Sequence, residues 1–252
     1  MSSSTDAARA RFAADPFGTL RGKWHEVPAG QHRYSTADLL AMADDALVRF
    51  WIERRDDATR GDAYSVRGWY HDLYSRVFRG RSVLDLGAGL GLDGITYAQA
   101  GARLTFADIV GDNLDVLRRL CGQLGIEARF VHIEDLKSIA ALPGPFDAIY
   151  AQGSLIHMPD DLVRDEVQGL LEHLPVGGRW VELAYPRERW LRDGAPAFDE
   201  WGPITDGPGT PWAEWCDLDK RLASLAPARF EPLLAVNFHG DDYNWFDLVR
   251  SA

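Results

Sequence analysis

The chain has 252 residues, 46% of them hydrophobic and 11% aromatic, with a formal net charge of -11. That composition can bury a large core as one domain with a helical annex, and its acidity argues against a nucleic-acid partner, because phosphate binding is driven by lysine and arginine displacing counterions. No apolar run approaches membrane-spanning length, and Met1 to Ala10 lack the apolar core of a secretory signal, so no membrane partner and a cytoplasmic location are expected. Cys121 and Cys216 offer neither a disulfide framework nor a zinc spacing and read as packing residues.

In chain order, Pro16, Gly18, Pro28 and Gly30 break up a polar first stretch whose extreme end is expected to be mobile. Ser35 to Asp38 has the spacing of a capping pair, and Leu40, Ala43, Leu47 and Phe50 follow at three- and four-residue steps, which predicts one amphipathic helix. Residues 61–68 read as a loop, and a second helix is expected through Trp69, Tyr70, Leu73 and Tyr74 to Val77 and Phe78. Residues 1–80 thus read as a helical annex or lid, able to serve a homo-oligomer equally well. Val83 to Leu86 is a buried strand by pattern, and Gly87, Gly89 and Gly91 follow it as a turn opening onto a helix. Alternating strand and helix patterns continue through Arg103–Asp108, Phe130–Leu136 and Phe146–Gly153. Leu174 to Gly178 reads as a turn, and residues 229–236 and 243–249 as an antiparallel pair.

An acid inside the first of these strands is informative. In a dinucleotide-binding turn the pyrophosphate lies against the following helix N-terminus, and Asp85 would repel it. A ligand with a positive amino group beside an adenosine would welcome that carboxylate, and S-adenosylmethionine has both. The strand acid with Gly87, Gly89 and Gly91, and the second acid Asp108 one strand-helix-strand unit later, resemble the class I S-adenosylmethionine-dependent methyltransferases of the small-molecule type. The resemblance implies an α/β fold, a seven-stranded Rossmann-like and mostly parallel sheet with an antiparallel last strand, over residues 81–252. It also implies that Asp108 grips the ribose hydroxyls with Ile109 beside it, that Glu134 or Asp135 accepts from the adenine amino group, and that Gln152 lies beside the methionine moiety. Gly89 to Gly94 also matches G-x-G-x-x-G, the fingerprint of a nicotinamide-dependent dehydrogenase. The late position of the turn and the presence of Asp85 weigh against that reading. A non-catalytic cofactor-binding module is a further alternative.

In open α/β sheets the ligand lies beyond the carboxyl ends of the strands. His157, just past a central strand, is the first choice for a base that takes the proton of an acceptor hydroxyl. Arg67 suits the methionine carboxylate, through paired hydrogen bonds, and reads equally well as a surface or capping arginine. Tyr185 stands at a strand exit. His239, Asp241 and Asp242 form a cluster able to contact substrate or, as a histidine with two carboxylates, to hold a hard divalent ion such as magnesium; an acidic turn is the plainer reading. An insert at about 186–215 contains Trp190, Trp201, Trp212 and Trp215 and reads as a substrate lid. Trp212 and Trp215 can stack on sugar rings, with Asp199, Glu200, Asp206 and Glu214 accepting from hydroxyls. The expected reaction is O-methylation of a sugar or glycosylated natural product. N-methylation of a small amine is the alternative and would need no base.

Overall fold

The computed structural model describes residues 3–29 and 32–252. Met1, Ser2 and Gly30, on which the expected mobile end and one expected break fall, lie outside the described residues. A short antiparallel pair, β1 (Glu26–Ala29) and β2 (His32–Ser35), precedes the main sheet. That sheet contains β3 (Ser82–Leu86), β4 (Arg103–Asp108), β5 (Ala128–His132), β6 (Ala148–Gln152), β7 (Arg179–Ala184), β8 (Phe230–Phe238) and β9 (Tyr243–Arg250). Its spatial order is β5-β4-β3-β6-β7-β9-β8. The pairs from β5 to β7 are parallel, and β9 runs antiparallel between β7 and β8. The chain winds outward from β3 through β4 to β5 and then returns to pair β6 with the other side of β3. That reversal opens a crevice at the strands' carboxyl ends.

Period-two alternation divides the core. Leu84, Leu86, Ile149, Ala151, Trp180, Phe246 and Leu248 are buried on one face, and Val83, Ala148, Tyr150, Val181, Leu183 and Trp245 on the other. Helices cover both faces, which is why these strands read as nearly continuous apolar runs.

The first residues depart from expectation. They form helices Ser3–Ala14 and Pro16–Trp24, with Ala8, Phe12, Phe17 and Leu20 buried in the first face's core. The local cause is legible afterwards: Pro16 opens the second helix, and the Asp15 side chain accepts from the Gly18 amide at 2.8 Å. The expected single helix after Ser35 is broken into Thr36–Ala41 and Asp44–Thr59. Ser35 stands at the N-cap without a side-chain cap bond, and Leu39, Leu47, Trp51 and Ala58 turn inward on the second face. Helix Gly68–Val77 joins them there with Tyr70 and Tyr74 buried. The segment before β3 therefore embraces the sheet, with its β1–β2 hairpin crossing the crevice between the two faces.

The Trp-rich insert is packed structure. It forms helices Arg187–Arg192 and Phe198–Asp206, and Trp201 and Trp212 are fully buried. Trp212 packs edge-on against Phe12 and Phe198, and Thr5 bonds Asp199 at 2.8 Å.

Candidate functional site

The crevice is a cavity of about 740 Å³. One end is built mainly by backbone. Gly87, Gly89 and Gly91 take φ values of 70, 51 and 66°, which side-chained residues rarely adopt. Gly94 serves closeness instead: a Cβ there would stand 2.3 Å from Asp85 Oδ2 and 2.4 Å from the Phe106 ring. Its absence lets helix Leu92–Gln99 lie directly on the strand acid. Burial pushes the Asp85 carboxyl well above the ordinary range, and Asp93 and Asp108 nearby push it further, with only partial relief from Arg67 and the Gly94 amide. Asp85 is thus a buried acid whose charge the surrounding residues compensate only in part.

Asp108 closes β4 beside it. Its carboxylate accepts from the Gly89 amide at 3.0 Å, the Val110 amide at 2.8 Å and Asn113 Nδ2 at 3.4 Å, so both oxygens are aimed. Burial nevertheless raises its pKa. Asn113 also bonds the Trp24 carbonyl and the Thr36 hydroxyl, which ties Asp108 to the two helical segments that straddle the sheet.

Above Asp85 a buried polar cluster anchors helix Gly68–Val77. Asp93 receives Arg67 at 3.0 Å, the Tyr150 hydroxyl at 2.9 Å and the His71 ring. Burial opposes the charge, but Arg67, His71 and these hydrogen bonds hold Asp93 down to about 2. Gln152 Nε2 donates to the Tyr70 hydroxyl at 3.1 Å across the cavity wall.

The other end is built by side chains. His157 is buried, and its Nδ1 stands 3.1 Å from the Trp212 carbonyl. A carbonyl only accepts, so Nδ1 carries the proton and Nε2 keeps its lone pair. Burial lowers the His157 pKa below its ordinary value, against opposing pulls from Asp206 and the Trp212 carbonyl. Burial thus favours the neutral imidazole, the form able to accept a proton. Asp206 Oδ2 lies 3.9 Å from Nε2, and Asp206 also takes the Tyr185 hydroxyl at 2.9 and 3.0 Å and Arg33 at 3.2 Å. Trp24 packs on the imidazole with ring centroids 4.7 Å apart.

Of the residues expected from sequence, Arg67, Asp85, Gly87, Gly89, Gly91, Asp108, Ile109, Gln152, His157, Tyr185 and His239 line this one cavity. The others do not. Asp135 is turned into the N-cap of helix Leu136–Ala140, accepting from the Ser138 amide at 2.9 Å, and Glu134 is exposed beside His132. Trp212 is buried behind the wall with its indole N–H on Glu214, and Trp215 carries Lys220 on its face. Asp241 is exposed, Asp242 pairs with Arg192, and His239 meets Ser65 Oγ at 3.2 Å. Among the described residues no three His, Cys, Asp or Glu side chains gather to hold an ion. Asp93 and Asn113, absent from the expected set, organise the glycine-turn end of the cavity, and Asp206 stands out from the insert's other acids.

The donor set fits S-adenosylmethionine. A buried acid lining the cavity, a second acid with both oxygens oriented beside a glycine turn, and an apolar wall including Ile109 and Ile133 match its ammonium, its ribose and its adenine in kind. Comparisons point the same way. Residues 83–178 match the family model described as a methyltransferase domain. The ubiquinone biosynthesis O-methyltransferase of Chromobacterium violaceum is 39% identical over 104 residues, which cover 40% of this chain and 43% of that protein. Its counterpart in Xylella fastidiosa is 41% identical over 83 residues, 32% of this chain and 33% of that protein. The chain thus spans less than half the length of these relatives. Among solved structures, the Burkholderia thailandensis 1,6-didemethyltoxoflavin-N1-methyltransferase superposes with a TM-score of 0.55 at 20% identity, covering 90% of this chain and 95% of that one. The Synechocystis magnesium protoporphyrin IX methyltransferase gives 0.55 at 18% identity, covering 98% and 99%. Residues 83–178 thus carry a methyltransferase domain, and the seven-stranded sheet to which they contribute has the Rossmann-like fold of the class I S-adenosylmethionine-dependent methyltransferases.

Proposed function

We propose that the protein transfers a methyl group from S-adenosylmethionine to a hydroxyl oxygen of a small ring-bearing molecule. The observation that carries this reading is the buried His157, which lines the same cavity as Asp85 and Asp108 and turns its Nδ1 to the Trp212 carbonyl, leaving Nε2 as the accepting nitrogen. When bound, the cofactor supplies a methyl group on an already activated sulfonium. What the chain adds is alignment, exclusion of water and a place for a proton. Asp85 and Asp108 fix the cofactor's polar ends, the hairpin and helix Pro16–Trp24 cover the crevice, and His157 Nε2 takes the acceptor's hydroxyl proton.

The lining favours a flat ring over a sugar. Trp212 and Trp215, the platforms on which a sugar reading rested, lie outside the cavity, whereas Trp24, Tyr185 and Tyr243 face it. A phenolic hydroxyl, with a pKa of about 10, also gives up its proton to a histidine more readily than an aliphatic alcohol does. The names of the two ubiquinone-pathway relatives agree with an oxygen acceptor.

The test is a methyl-transfer assay on a panel of phenols, sugars and amines. Phenols are expected to turn over, with activity falling as pH drops through the lowered His157 pKa. Turnover confined to amines, following only the amine's own titration, would contradict the oxygen reading.

A further inference from the structure

Three arginines line the cavity, and two are already neutralised. Arg54 has Asp57 at 2.9 Å and Arg67 has Asp93 at 3.0 Å. Arg189 differs. Its nearest carboxylate oxygen, on Asp193, is 4.0 Å from Nε, and its single hydrogen bond among the described residues runs from Nη1 to the Asp242 carbonyl at 3.2 Å. A guanidinium has five N–H donors in a fixed plane, so most of the Arg189 fork is uncommitted. It is also held still. Its Cζ sits 4.2 Å from the Tyr185 ring centroid and 5.7 Å from that of Tyr243, and only 16% of its side chain is exposed. A stacked, largely buried guanidinium with free donors is preset for a planar, two-pronged oxyanion.

Tyr185 links this group to the proposed base. The ring carries Arg189 on its face, and its hydroxyl reaches Asp206, which flanks His157 Nε2. An acceptor that spans the Tyr185 side chain would place an anion at one end and a hydroxyl at the other. One uncommitted cation suits a single charge, and Asp206 nearby disfavours a dianion. Resting on the methyl-transfer reading above, we propose that Arg189 is a carboxylate-binding residue and that the acceptor is a hydroxylated monocarboxylate.

The experiment is calorimetric titration of the S-adenosylhomocysteine-loaded protein with para-hydroxybenzoate and with its neutral analogue para-hydroxybenzamide. The acid is expected to bind about tenfold more tightly, as a charge-assisted pair should give. R189M should abolish that preference, and R189K, which keeps the charge without the fork, should retain part of it; both should still be stabilised by S-adenosylhomocysteine. Equal binding of acid and amide, binding of neither, or a preference that survives in R189M would overturn the proposal. Tighter binding of para-hydroxyphenyl phosphate would overturn the carboxylate in favour of a phosphate. Arg189-dependent binding of the acid without methylation of any hydroxyl in the panel would leave this subsite standing and remove the oxygen-transfer reading instead.

Discussion

The two ends of the cavity are made differently. At the cofactor end, three left-handed glycines, the close approach at Gly94 and two strand-borne acids act largely through main-chain geometry, within one stretch from Asp85 to Asn113. At the other end His157, Tyr185, Asp206 and Arg33 are brought together from four separate parts of the chain and meet through their side chains. Backbone-built sites are part of the fold and fail with it. Sites assembled from side chains can be altered one group at a time, which suits a scaffold whose cofactor is constant and whose acceptor varies.

The sharpest test of that contrast is His157→Ala. It should cost about a hundredfold to ten-thousandfold in kcat, the usual worth of a general base, while leaving S-adenosylhomocysteine affinity in titration calorimetry within about twofold of wild type. A parallel loss of cofactor affinity would show that the two ends are not separable. Next in size is an effect of pH on stability. Burial raises Glu166, a buried residue lining the cavity, from 4.5 to about 7, with Arg221 giving only partial relief. Its folded pKa lies above its unfolded value, so its contribution is full below pH 4.5 and is lost as pH rises through about 7. Glu166→Gln should therefore gain up to about 3 kcal/mol relative to wild type between acid and mildly alkaline pH, measured by urea unfolding across that range. A pH-independent difference would show that the carboxyl is solvated or paired.

Gly94→Ala should couple folding and cofactor binding. The added methyl meets Asp85 and Phe106 and should cost about 1–3 kcal/mol of stability together with a clear loss of S-adenosylhomocysteine affinity. Asp135→Ala should do the reverse of what its place after β5 suggested. It removes an N-cap worth about 1 kcal/mol and should leave cofactor affinity unchanged.

These differences also mark what the sequence made legible. Asp85, the glycine turn and Asp108 could be read because one strand-turn-helix-strand unit forces them together at fixed spacing. The resemblance was less informative at Glu134 and Asp135: the chain leaves β5 straight into a helix, Asp135 with Ser138 forms a capping box, and neither acid lines the cavity. Tryptophan density misled for a different reason. A large apolar ring serves a core as well as a ligand, and Trp201 and Trp212 took the core, clamped by Phe12 from a helix that the polar opening residues had concealed. Asp93, Asn113 and Asp206 gain their roles from partners 20 or more residues away, such as Arg67, Thr36 and His157, and no local pattern carries that information.

The most direct test of the account is thermal unfolding with S-adenosylhomocysteine, and separately with NAD, for wild type and Asp108→Ala. At a hundredfold its dissociation constant a ligand adds about 2.7 kcal/mol, which for a chain of this size raises Tm by about 5–10 °C. The account predicts that shift for wild type with S-adenosylhomocysteine alone, and its reduction in Asp108→Ala. A shift with NAD, or none with S-adenosylhomocysteine, would contradict it.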